Sequence, residues 1–125
     1  MSILLDTCIY LWIADDSERL DQDARTYLDR AYPRHVSAIS FAEIEIKRSI
    51  GELTLPDDYR EQINDIGLSA LAYTRDDSAE LGRLAFHHKD PFDRMLIAQA
   101  IARDLTIVTA DPVFQQYPVR VRLVG

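Results

Sequence analysis

Two short apolar runs frame the chain. Ile3, Leu4 and Leu5 in "SILLD" and Leu105 to Val108 in "LTIVTAD" each give way to an aspartate within a few residues. Short, nearly continuous apolar runs are the pattern of strands buried on both faces of a parallel sheet. "VSAIS", "LSALAY" and "VRVRL" give weaker strand signals, and the last alternates apolar and basic residues as an edge strand does. Helical patterns fill the intervals. One opens over Ile9 to Ile13, and others cover Asp21 to Tyr32, Ser40 to Leu53, and Asp57 to Asn64 behind Pro56. Two more run from Ser78 to Phe86 and, Ala-rich, from Pro91 to Arg103. Strands alternating with helices predict an α/β fold, a central parallel sheet with helices on both faces. No repeat, low-complexity segment or long linker interrupts it, so residues 1–125 read as one domain.

In such sheets ligands bind beyond the carboxyl ends of the strands, where Asp6 and Asp111 fall. Each acid near these ends also has a purely structural explanation. Asp6 suits the N-cap of a helix starting at Thr7, and Asp90 before Pro91 and Asp111 before Pro112 suit N-caps followed by a first-turn proline. Asp93 sits in a first helical turn, where the helix dipole favours an acid. Glu43 closes an S-x-x-E capping box from Ser40. That explanation is weakest at Glu43. At 100° per residue, Ile39, Ala42, Ile46, Ile50 and Leu53 form an apolar stripe expected to face the core, and Glu43 lies only roughly 60° from its centre. An inward carboxylate is costly unless it is paired, hydrogen-bonded or bound to a cation, and neighbouring acids raise its pKa further.

Composition sharpens this picture. The 47% apolar and 28% charged residues are those of an ordinary globular chain. No stretch approaches the ~18 apolar residues of a membrane helix, and the N-terminus lacks the layout of a secretory signal. The single cysteine, Cys8, lies in an apolar run, reads as a core residue and fits a reducing cytoplasm. With 21 acids against 14 bases, the net charge of −7 excludes a broad basic surface for nucleic acid. Action on a polyanion therefore needs local positive charge from a divalent metal, while the acidic surface suits a basic partner. Were Asp6, Glu43, Asp93 and Asp111 to meet in one crevice, they would make an all-oxygen donor set of the kind that selects Mg²⁺ or Mn²⁺. His87, His88 and Cys8 lack zinc-site spacing.

"LLDT", "VSAISFAEIEIK", "HHKDPFDRMLIAQA", "LTIVTAD" and "YPVR" occur in an order that resembles the VapC-like toxins of the PIN-domain ribonuclease family, from Ile3 to about Leu123. The resemblance implies a three-layer α/β/α sandwich and a Mg²⁺- or Mn²⁺-dependent endoribonuclease. It also implies an RNA substrate, a cognate antitoxin that occludes the site, and a homodimer. The family's four acids match Asp6, Glu43, Asp93 and Asp111. Asp6 and Asp93 would hold the metal directly, with Asp111 and Glu43 assisting. Asp90 belongs to the same motif and ranks mainly as a cap. Lys89 and Arg94 flank the motif as possible contacts to RNA phosphates or antitoxin, although a solvated face explains both. Thr7 and Thr109 are placed to orient a ligand water or simply to end a strand, and His87 and His88 to finish a loop. One departure is Ala42, where the family often has a bulky residue before the glutamate.

Two rivals remain. A haloacid-dehalogenase-like phosphatase also needs an aspartate at the end of its first strand, but its general acid two residues later would be Cys8 here. A catalytically inert module that only docks RNA or antitoxin gains little from clustering four like charges.

Overall fold

A computed structural model describes all 125 residues. The two apolar runs form its centre. β1 (Ile3–Leu5) lies between β2 (Arg34–Ser37) and β4 (Thr106–Thr109), and the outer strands are β3 (Ser69–Leu71) and β5 (Val121–Leu123). The order is β3-β2-β1-β4-β5 with every pair parallel, and Ile3 stands in register with Arg34 on one side and Thr106 on the other. β5 takes the edge, as its alternating pattern predicts.

Side chains alternate across the sheet, so the central strands feed two cores. Ile3, Leu5 and Val108 join Ile9, Tyr10, Leu28, Val36 and Ile44 on one face. Leu4 and Ile107 join Leu96, Ile97, Ala100 and Phe114 on the other. Helices α1 (Thr7–Ala14), α2 (Gln22–Arg30) and α3 (Ala38–Ser49) supply the first core. Helix α5 (Pro91–Arg103) and the 3₁₀ turn Pro112–Gln116 supply the second, and α4 (Arg75–Leu81) packs on α5. The result is the three-layer α/β/α sandwich. No helix is long and apolar enough to cross a membrane.

Several local expectations are corrected. Ser37, not Ser40, caps α3, its hydroxyl accepting from the Ile39 N–H at 3.1 Å. "VSAIS" therefore turns from strand to helix at Ala38, and the Ser40–Glu43 capping box does not form. The apolar stripe of α3 meets the cores only at its ends, through the partly buried Ile39 and Leu53, while Ile46 and Ile50 are 50% and 63% exposed. The buried face carries Ser40, Glu43 and Ile44 instead. It is turned inward by Ile44, which joins the first core, and by the Thr7 hydroxyl donating to Ser40 Oγ at 2.8 Å. Residues 57–64 make successive i→i+3 turns rather than a helix, yet still bury Tyr59 and Ile63. α4 starts and stops earlier than expected because Thr74 and Asp77 form its capping box and Gly82 ends it.

Asp77 also ties α4 to α5. Its buried carboxylate accepts from Arg103 Nε at 2.8 Å and Nη2 at 3.1 Å, from Gln99 Nε2 at 3.0 Å and from the Thr74 N–H at 2.9 Å. Burial alone would raise this carboxyl, but the Arg103, Thr74 and Gln99 donors outweigh it and hold it at about 2. The stability gained from this depressed value is fully present above pH about 4 and is lost as pH falls toward 2. Asp77→Asn should flatten that stretch of the stability curve, measured by urea unfolding across pH. Asp77→Ala should cost about 2 kcal/mol at neutral pH, less than a fully buried pair, because Arg103 is free to turn to solvent.

Candidate metal centre

The acids predicted from the sequence come from four segments of chain. Asp6 follows β1 and caps α1, its Oδ1 accepting from the Thr7 N–H at 2.8 Å. Its Oδ2 accepts from the Thr109 hydroxyl at 2.7 Å, at the end of β4. Thr109 Oγ1 in turn accepts the Asp111 N–H at 3.0 Å, so one threonine links the two strand-end aspartates. Asp111 caps the 3₁₀ turn through Oδ1 and the Val113 N–H at 3.0 Å. Asp90 caps α5 through the Phe92 and Asp93 N–H groups and puts Asp93 in the first turn. Glu43 reaches in from α3, only 5% exposed, with Oε2 held by Lys47 Nζ at 2.9 Å.

Electrostatics shows how closely these groups are drawn together. Burial, then the charges of Asp6, Asp90, Glu43 and Asp111, push the Asp93 carboxyl from 3.8 up to about 8. Burial also raises Asp6, against the pull of its Thr109 and Thr7 donors, and the Glu43 charge adds to the rise. Glu43 Oε1 is buried and has no hydrogen-bond partner. A crowded set of carboxylates, one oxygen of which has nothing to bond, is what a bound cation would relieve. The residues therefore fit the divalent metal expected from the sequence. The tightest group is His88 Nε2, Asp93 and Asp111, whose donor atoms lie within 4.8 Å of one another. Asp6 and Glu43 stand outside that group and couple to Asp93 through charge.

Two residues at this site were not anticipated. His88, expected only to finish a loop, places Nε2 2.8 Å from Asp111 Oδ2 and 3.0 Å from Asp93 Oδ2. Its place two residues before Asp90 was the available signal. Lys47 was legible as the i+4 partner of Glu43, and its bond to Glu43 raises its own pKa. The auxiliary residues divide. Thr7 and Thr109 bond to protein groups, Thr7 to Ser40 and Thr109 to Asp6. Arg94 is occupied by its own loop, donating to the Ala85 carbonyl at 3.0 Å and lying 4.6 Å over the Phe86 ring. Lys89 is exposed. Cys8 is partly buried, and burial, with the Asp6 charge next, pushes its thiol up to about 12, as suits a packing residue.

Residues 3–119 match the PIN domain family. The chain belongs to that family. Its fold is similar to solved structures that cover nearly its whole length. VapBC2 from Rickettsia felis bound to a promoter DNA fragment aligns at a TM-score of 0.74 and 16% identity, covering 100% of each chain. DNA-bound VapBC from Salmonella typhimurium aligns at 0.70 and 20%, covering 98% of this chain and 97% of the other. VapBC-5 from Mycobacterium tuberculosis, of the VapBC family of toxin–antitoxin systems, aligns at 0.60 and 18%, again covering 98% and 97%. Among curated proteins none matches.

The raised Asp93 carboxyl carries a pH signature. The folded, metal-free protein keeps a proton on Asp93 that the unfolded chain releases, so stability falls as pH rises from about 4 toward 8. Asp93→Asn removes that penalty. In thermal melts with EDTA the variant should melt above wild type at pH 8, with the gap closing toward pH 4.

Proposed function

We propose that the chain is a Mg²⁺- or Mn²⁺-dependent endoribonuclease, the toxin of a type II toxin–antitoxin pair, working in the cytoplasm under a cognate antitoxin. The observation that carries this reading is the convergence of acids from four chain segments on Asp93, in a chain of the PIN domain family. The likeness in fold to chains of toxin–antitoxin complexes supports the partner. A homodimer, common among such toxins, is part of the same proposal.

Asp6, Asp93 and Asp111 are the residues we assign to hold the metal, with Glu43 beside them. When bound, Mg²⁺ or Mn²⁺ supplies a water of lowered pKa and positive charge against the phosphate. The protein's own part is orientation and proton transfer. Thr7 and Thr109 fix the Asp6 carboxylate, and Val113 and His88 fix Asp111, so neither swings as substrate enters. Lys47 anchors Glu43 by one oxygen and leaves Oε1 unbonded. That oxygen is the base we assign to the attacking water.

Two measurements test this. With ~10 mM Mn²⁺ and a dissociation constant near 1 mM, mass action should stabilise the wild type by roughly 1.4 kcal/mol, a rise of several degrees in Tm. Asp93→Asn should lose that rise. RNA incubated with the purified protein and Mn²⁺ should be cut, and EDTA or Asp6→Asn should stop the cutting while antitoxin binding persists. Intact RNA, with tight partner binding, would instead support the inert docking module.

A further inference from the structure

His88 lies in the candidate centre, and by distance alone it is a ligand. Its Nε2 joins Asp93 and Asp111 in a group small enough to surround one ion, and Glu43 Oε1, 5% exposed as a residue, stays unbonded nearby. The other ring nitrogen decides the matter. His88 Nδ1 accepts the backbone N–H of Asp90 at 3.1 Å, so its lone pair is in use and the ring proton sits on Nε2. An Nε2 that carries a proton donates a hydrogen bond and does not coordinate. Coordination would require the proton to move to Nδ1, where it would face the Asp90 N–H donor at the same distance. Three more contacts hold the ring and its backbone in place. The ring meets Phe114 edge-on at 5.7 Å, and the His88 and His87 N–H groups both donate to the Tyr117 hydroxyl, at 2.8 and 3.1 Å.

We propose that His88 is a positioning residue and not a metal ligand: its Nε2–H bonds Asp111 Oδ2 at 2.8 Å with Asp93 Oδ2 3.0 Å from the same nitrogen, and so sets the spacing of the two carboxylates that receive the metal. This inference rests on the metal-site reading above. The contact spans two elements, α5 and the turn after β4. It leaves both Asp93 oxygens and the second lone pair of Asp111 Oδ2 for a cation. The Asp90 carboxylate caps α5 while its backbone N–H fixes the imidazole, so one residue orients both the helix and the ring.

The test uses the full chain without antitoxin. Nitrogen-15 spectra of the histidine rings should show His88 with its proton on Nε2, both metal-free and loaded with Mg²⁺. By calorimetry, His88→Leu should weaken Mg²⁺ and Mn²⁺ alike, about 10- to 100-fold, as loss of a hydrogen bond to a ligating carboxylate does. His88→Gln, whose amide N–H reaches close to the place of Nε2, should recover most of that loss. A proton on Nδ1 in the loaded form overturns the proposal even if the leucine variant fails to fold. So does a loss confined to Mn²⁺, the mark of a missing nitrogen ligand. Unchanged affinities in His88→Leu overturn it and leave the metal site standing. A folded wild type that binds neither ion removes the metal-site reading and this inference together.

Discussion

Like-charge repulsion at the carboxyl edge of the sheet is the constraint on which the rest of the site depends. Five carboxylates (Asp6, Glu43, Asp90, Asp93 and Asp111) act on one another there, and Asp93 bears the consequence. The fold tolerates them by giving four of the five at least one fixed donor and setting the His88 ring against the fifth. Asp6 has Thr7 and Thr109, Asp111 has Val113 and His88, Asp90 has two helix N–H groups and Glu43 has Lys47, while Asp93 has only His88 Nε2 standing 3.0 Å from its Oδ2. Anchoring one oxygen holds the carboxylate's direction without exhausting its lone pairs. A site built this way is oriented in advance for a cation, yet it stays electrostatically unfavourable without one.

The capping explanations of these acids therefore do not compete with the functional one. Asp6, Asp90 and Asp111 are N-caps, as the Asp-Pro spacings and the strand-end position predict. A cap engages one or two orphan helix N–H groups and leaves the carboxylate at the helix mouth, on the edge where ligands bind in a parallel sheet. Capping and cation holding need the same residue in the same place. Deciding between them by sequence pattern was never possible, because the pattern is the same for both.

The legible parts of the sequence were those governed by local chemistry. Ile3–Leu5 and Leu105–Val108 read as central strands because burial on both faces leaves them no polar alternation. α5 was bounded to the residue by Pro91 and Arg103. Where two outcomes share one local pattern, the reading failed. Periodicity on α3 showed an apolar stripe, but only tertiary contacts reveal that the opposite side, with Ile44 and Ser40, meets the core while Ile46 and Ile50 face outward. Glu43 thus proved buried for a different reason from the one the helical projection gave. His88 was missed because its role depends on Asp111, twenty-three positions later in the chain, and on a backbone N–H two residues away. Only the second left a trace, in the place of His88 two residues before Asp90; the first leaves none.

Positive charge near the site is scarce, and apart from the exposed Lys89 it has already been committed. Lys47 binds Glu43, and Arg94 is folded onto its own loop. The whole chain carries −7. A phosphodiester approaching this edge meets repulsion from the surface at large, so electrostatic steering does not explain how a polyanion is captured. In the nuclease reading, the cation has to serve as both chemical reagent and substrate anchor. A basic segment of a partner, by contrast, is drawn to the same acids without any cation. In that reading, one arrangement of carboxylates would account both for a dependence on metal and for occlusion of the site by a small antitoxin. Both follow from packing acids at a sheet edge and leaving their charge for something outside the chain to balance.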